Sequence, residues 1–225
     1  MKSLFDEFQP DNVKRHLHTA ETSHRKNINV LSSWIADYQT LLADETGNLF
    51  WQVNSEHLAS VYAETVENIR HFDYSGHDIG AFCTKIDQGS PIPLHVPGPM
   101  GIYVSALINC CKDREITLFT SGMRHIIHFL GYRLAKGKRL TINGNSGDFT
   151  GTGLCGGSLV ITGSAANYCG AGMAEGKIEV RENAGSNLGQ WMHGGTIQVD
   201  GTISGIGENR FGGQVMNNDG IESSF

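Results

Sequence analysis

The chain has 225 residues and 39% hydrophobic content, enough to bury a core as one ordinary domain or two small ones, which excludes an intrinsically disordered chain. Seventeen Lys and Arg against 23 Asp and Glu leave a net charge of -6, a balance that argues against a nucleic-acid or anionic-membrane partner. Glycine divides the sequence: 22 of the 29 glycines follow residue 130, whereas all five prolines lie at or before Pro99, so two compositions are joined in one chain.

The opening run MKSLFDEFQPDNVKRHLH has no apolar signal-peptide core, and no stretch approaches the ~18 apolar residues that span a bilayer. His16, His18 and His24 belong to this polar leader. Leu31, Trp34, Ile35, Tyr38, Leu41 and Leu42 share one helical face, ending near Gly47. Leu58, Val61, Tyr62, Thr65, Val66, Ile69 and Phe72 repeat the pattern after Asn54 and Ser55, and Gly76 ends it. Residues 79–86 and 115–120 alternate as short strands do, and between them Met100 to Cys111 is apolar on nearly every side, the mark of a buried helix. Residues 1–120 are therefore expected to form a small α/β or α+β unit.

Two segments of this half invite a site. SPIPLHVPGPMG, residues 90–101, is a proline-stiffened loop centred on His95 and leading into a helix N-terminus that could meet an anion. Its simpler reading is a rigid connection. His125 and His128 stand three apart on an expected helix, Met123 to Leu130, but no third metal ligand accompanies them, and a core or interface pair is the reading. That helix is expected to run on to about residue 133 and to cap the glycine-rich half.

From residue 137 the chain repeats every 19 residues without insertion. Gly137, Gly156, Glu175, Gly194 and Gly213 form one column, Leu140, Leu159, Ile178, Ile197 and Met216 another, and Ile142, Ile161, Val180, Val199 and Asn218 a third; Gly144, Gly163, Glu182, Gly201 and Gly220 close the unit. Within each repeat the apolar residues are two apart, as in a strand with one buried face. A unit this short has no room for a crossover helix, so like strands must stack in a parallel β-helix. About five turns are expected over residues 121–225, with glycines at the corners. Gly151, Gly153 and Gly156 spell the dinucleotide fingerprint, but they precede a strand instead of opening a helix, so nucleotide binding is not expected there.

Gly189, Met192, Gly194, Gly195, Ile197, Val199 and Gly201, with the runs GAGMAEGKIEV and LCGGSLVITG, resemble the GXGXG β-helix domain at the C-terminus of the glutamate synthase large chain. They are similar as well to the domain of that kind that forms one of the subunits of formylmethanofuran dehydrogenases. The resemblance covers roughly residues 121–213 and implies a right-handed β-helix acting as a structural spacer. It carries over no catalytic residue. There is no cysteine after Met1 to serve as an amidotransferase nucleophile and no room for a flavin barrel, and Glu208, Gln214 and Asn218 depart from the pattern in the last coil.

No nucleophile with an evident base, carboxylate pair or complete metal set stands out. Cys83, Cys110, Cys111, Cys155 and Cys169 form no CxxC pair, so neither a disulfide framework nor an iron–sulfur cluster is expected, and a reducing, cytoplasmic setting is. No flavin or stoichiometric metal is expected either. His193, which shares a corner with Trp191, joins His95 as a ligand-site candidate. The expected function is a noncatalytic structural or assembly subunit that self-associates or docks an enzyme partner through a flat face of the solenoid. The alternatives are a component of a multisubunit oxidoreductase related to glutamate synthase or formylmethanofuran dehydrogenase, or a small-molecule binding module.

Overall fold

The computed structural model describes residues 30–43, 55–89, 99–218 and 220–224. Helix α1 (residues 30–43) turns Val30, Trp34 and Tyr38 into the core, one helical turn apart, on the face expected from the sequence. The second expected helix is α2 (Ser55–Ile69), and the apolar run after the proline loop is α4 (Pro99–Cys110), buried on every side from Pro99 to Ile108. The rings of Trp34, Tyr38, Phe82 and Tyr103 meet edge to face or stacked at 5.3 to 6.1 Å, tying α1, α4 and the element between them together.

That element is a correction. Residues 79–86, expected as a strand, lie in helix α3 (Gly76–Gly89), which buries Ile79, Phe82, Cys83 and Ile86. Its start explains the choice: the Ser75 N–H and hydroxyl donate to Asp78 Oδ2 at 2.9 and 2.8 Å, and the Gly76 N–H donates to Asp113 Oδ2 at 2.8 Å. Donors that a helix leaves orphaned at its first turn are thus satisfied, and a carboxylate stands at the positive end of the helix. Among the described residues, the mixed unit expected for the first half is therefore four helices, and its last element, β1 (Glu115–Phe119), joins the sheet of the second half.

Six parallel strands run in sequence order: β1, β2 (Arg139–Asn143), β3 (Cys155–Ile161), β4 (Glu175–Val180), β5 (Thr196–Val199) and β6 (Gln214–Asn217). They build a β-solenoid of about four turns, and β7 (Gly220–Ser224) returns antiparallel on β6. The 19-residue columns are the register itself. Leu140 pairs with Leu159, Leu159 with Ile178 and Ile178 with Ile197, and these four, with Ile142, Ile161, Val180 and Val199, are buried. The final column departs, because Ile197 pairs with Val215 and not with Met216. One residue fewer in that coil brings Val215 into the core in Met216's place.

Side chains also tie coil to coil. Asn145, Asn167 and Asn183 each accept, through Oδ1, the N–H of a residue 19 positions on, Ser164, Ser186 and Thr202, at 2.9 to 3.0 Å. Polar corners are thereby satisfied from coil to coil, by Asn145 and Asn183 in one column and Asn167 in another.

The expected capping helix over 123–133 is absent, and turns stand in its place. The N–H groups of Arg124 and His125 donate to the Asp87 carboxylate, the Phe129 N–H donates to Asp148 O at 2.9 Å, and Phe129 sits at φ 59°. A segment whose amides bond outward in this way makes no i→i−4 ladder. The cap is instead α4, whose core residues Tyr103, Val104, Leu107 and Ile108 form one cluster with Leu134, Leu140 and Leu154 of the solenoid. Asn109 seals the junction, donating to Tyr132 O and Arg133 O and accepting from the Ala135 N–H. The loop residues 90–98, with His95, and the polar leader with His16, His18 and His24 lie outside the described residues.

Candidate functional site

One corner of the solenoid repeats in an unusual way. The runs FLGYR (129–133), FTGTG (149–153), YCGAG (168–172) and NLGQW (187–191) place alternate residues in the left-handed region: Phe129, Phe149, Tyr168 and Asn187 at φ 58° to 59°, and Arg133, Gly153, Gly172 and Trp191 at 52° to 63°. Between them lies Gly131, Gly151, Gly170 or Gly189, also at positive φ. This middle position faces inward. A Cβ on Gly170 would sit 2.6 Å from Ile197 Cδ1, so any other residue there must shift a core side chain and also adopt a strained positive φ. The outer positions face away from the core and tolerate large side chains at some conformational cost.

The first outer column makes a ladder of rings. Phe129 stacks on Phe149 at 4.8 Å with 3° between planes, and Phe149 on Tyr168 at 4.7 Å with 9°. Asn187 then ends the column, and Trp191, from the second outer column, reaches across to Tyr168 at 6.2 Å and 16°. On the coil below Trp191 that second column holds Gly172, which leaves a hollow with no side chain in it; a Cβ there would meet nothing within 4 Å. Helix α2 closes the far end with Leu58, which packs with Phe129. The result is a hollow of about 540 Å³ lined by Leu58, Phe129, Phe149, Thr152, Tyr168, Ala171, Gly172 and Trp191. None of the eight is charged.

Of the residues singled out from the sequence, Trp191 belongs to this site and is 46% exposed. His193 does not line it; its ring stacks on Phe211 at 4.8 Å. His95 lies outside the described residues. Sequence reasoning misses Leu58, Phe149, Tyr168 and Gly172 as site residues, although Phe149 and Tyr168 stand 19 apart, a spacing that marks them as stacked neighbours. Among the described residues no group of three or more His, Cys, Asp or Glu could hold a metal ion, and all five cysteines are free. Gly151, Gly153 and Gly156 lie in the turn and strand start at Cys155–Ile161, with no helix after them.

His125 and His128 do not share a helical face. His125 Nδ1 is 3.1 Å from Asp87 Oδ1, while His128 Nδ1 accepts the Asp148 N–H at 3.0 Å and so supports the residue before the Phe149 rung. Burial pushes the Asp87 carboxyl up, but hydrogen bonds from the Arg124 N–H, the His125 ring and the His125 N–H outweigh it and hold the group below its ordinary value. Burial lowers His128, with Asp148 opposing. Both groups bind protons more readily unfolded than folded, so their contribution is complete above the unfolded values, roughly 6.5 for histidine and 3.9 for aspartate. Stability is therefore expected to fall in two steps on acidification, first below the unfolded histidine value and on through the lowered His128 value, then below the unfolded aspartate value and on through the lowered Asp87 value. Urea midpoints against pH check this: His128→Asn, which keeps an acceptor for the Asp148 N–H, should flatten the first step alone.

No helix among the described residues is long and apolar enough to cross a membrane. Comparison of the chain with protein-family models, with curated proteins and with solved structures finds no match.

Proposed function

We propose that the chain is a noncatalytic assembly protein of the cytoplasm, a right-handed β-helix of the GXGXG kind following a mixed helical and strand unit over residues 1–120, and that it self-associates through the free edge of β1. A fifth turn, counted to the polar last coil, is part of this reading. The observation that supports it most is the edge of β1. Arg114 O accepts the Arg139 N–H and the Thr120 N–H donates to Asn143 O, so even-numbered residues turn their amides to β2. The N–H and C=O groups of Glu115, Thr117 and Phe119 then face the other way. Among the described residues no hydrogen bond engages them. Phe119 on this edge is 68% exposed, and the strand has neither lysine, proline nor bulge; its one charge is Glu115, and α3 flanks it across a groove lined by Gly76, Gly80, Thr84, Thr117 and Phe119.

Size-exclusion light scattering tests the reading on the full chain. A species larger than the 24.5 kDa monomer is expected, reverting to monomer in Thr117→Pro, which removes an outward N–H and no ladder bond, and in Phe119→Ser. A wild-type monomer at every concentration would refute self-association, and a flavin absorbance band on the purified protein would favour the oxidoreductase component instead.

A further inference from the structure

We infer that the hollow between Leu58 and Trp191 is a binding site for one uncharged, planar aromatic molecule. This stands whether or not the chain self-associates, since it rests on a different surface.

The sequence creates the space. Three rungs of the ladder, Phe129, Phe149 and Tyr168, come from one corner position and cover each other's faces at 4.7 to 4.8 Å. Asn187 withholds the fourth ring from that position, and Trp191 supplies it from four residues further on. Near-parallel rings whose centres lie 6.2 Å apart do not cover each other as the pairs at 4.7 to 4.8 Å do, so part of the Tyr168 face and part of the Trp191 face stay uncovered. Beneath this step lie Ala171 and Gly172, and no side chain fills the gap. Uncovered π-faces next to apolar floor are best covered by another flat ring, offset-stacked on them.

Size and charge narrow the occupant. A hollow of about 540 Å³ lined by eight residues falls in the range of small-molecule pockets, roughly 300–1,000 Å³, whereas a protein partner needs about 20–30 residues a side. An ion seated on its floor would lose part of its hydration and meet no counter-charge, because the only polar side-chain groups in the lining are the Thr152 and Tyr168 hydroxyls and the Trp191 ring N–H. The Thr152 hydroxyl already donates to Phe149 O at 2.7 Å. Orientation therefore comes from stacking, with at most a few hydrogen bonds.

Indole, added to the full-length ¹⁵N-labelled chain and followed by NMR, is the probe. Saturable shifts are expected at the Ala171 and Gly172 amides and the Trp191 ring N–H. Trp191→Ala should weaken binding by about tenfold or more. Gly172→Asn, a residue that tolerates the left-handed region and fills the hollow, should abolish binding while the remaining spectrum stays folded. Indole-3-acetate should bind at least about tenfold more weakly than indole, since its carboxylate finds no partner. Cyclohexanol, apolar but not flat, should leave the three signals unmoved. Shifts that are scattered or fail to saturate, an unchanged affinity in Trp191→Ala, or equal binding of cyclohexanol or indole-3-acetate would each overturn the assignment.

Discussion

Ile178→Asp is expected to destabilise the chain by on the order of 4 kcal/mol, because the carboxylate would replace a fully buried side chain and no Lys or Arg is buried among the described residues to pair it. Total stability of a chain like this is typically only about 5–15 kcal/mol, so the variant should be largely unfolded at modest urea. Loss should also spread: Ile178 is the middle of the Leu159–Ile178–Ile197 column, and each coil is supported by its neighbours. Amide exchange at Ile161, Val180 and Val199 is expected to rise together. Gln198→Asp is the control. Gln198 lies on the outer face, opposite Glu179, and the like-charge pair should cost no more than about 1 kcal/mol. Equal urea midpoints for the two variants would mean that the strand faces are reversed.

Gly101→Ala is expected to be as damaging as a core truncation although it adds one methyl. A Cβ there would lie 1.7 Å from His128 O and 2.8 Å from His128 C, both backbone atoms, so α4 would have to lift off the first corner of the solenoid. Overpacking against a rigid partner costs about 1–3 kcal/mol and more where backbone must move; the upper end is expected here because α4 is the cap. Gly80→Ala, in the neighbouring helix α3, should do the reverse. Nothing lies within 4 Å of its added methyl, and removing a helical glycine stabilises by about 0.5–1 kcal/mol. Thermal melts of the two variants give opposite signs if α4 docks as described. A neutral Gly101→Ala would show that the helices do not close the solenoid at this point.

Where the fold departs from expectation, the causes are specific. Residues 79–86 satisfy a strand pattern and a helix pattern almost equally, and the deciding feature, the Asp78 carboxylate capping the Ser75 N–H and hydroxyl, lies just ahead of them. That feature is local and legible in the sequence. Residues 123–130 have the spacing of a helix, but their amides bond to Asp87 and Asp148, one of them supplied by α3 and the other by the next coil. No local pattern announces such partners.

The sequence by itself determined the solenoid: in a stack of like coils each residue sits on its counterpart, so a fixed 19-residue period is a fixed strand register, read directly from Leu140, Leu159, Ile178 and Ile197. It determined three of the four helices as well, two from a buried stripe that leaves its own period and α4 from a run apolar on nearly every side. Only the tertiary structure decided the rest. That α4 closes the first coil, that β1 belongs to the sheet although it is separated from β2 by a longer connection than any later pair, and that Leu58 and Trp191 face each other across one hollow all depend on contacts between residues far apart in the chain, whose partners are chosen by shape and by hydrogen bonding and not by any repeating spacing.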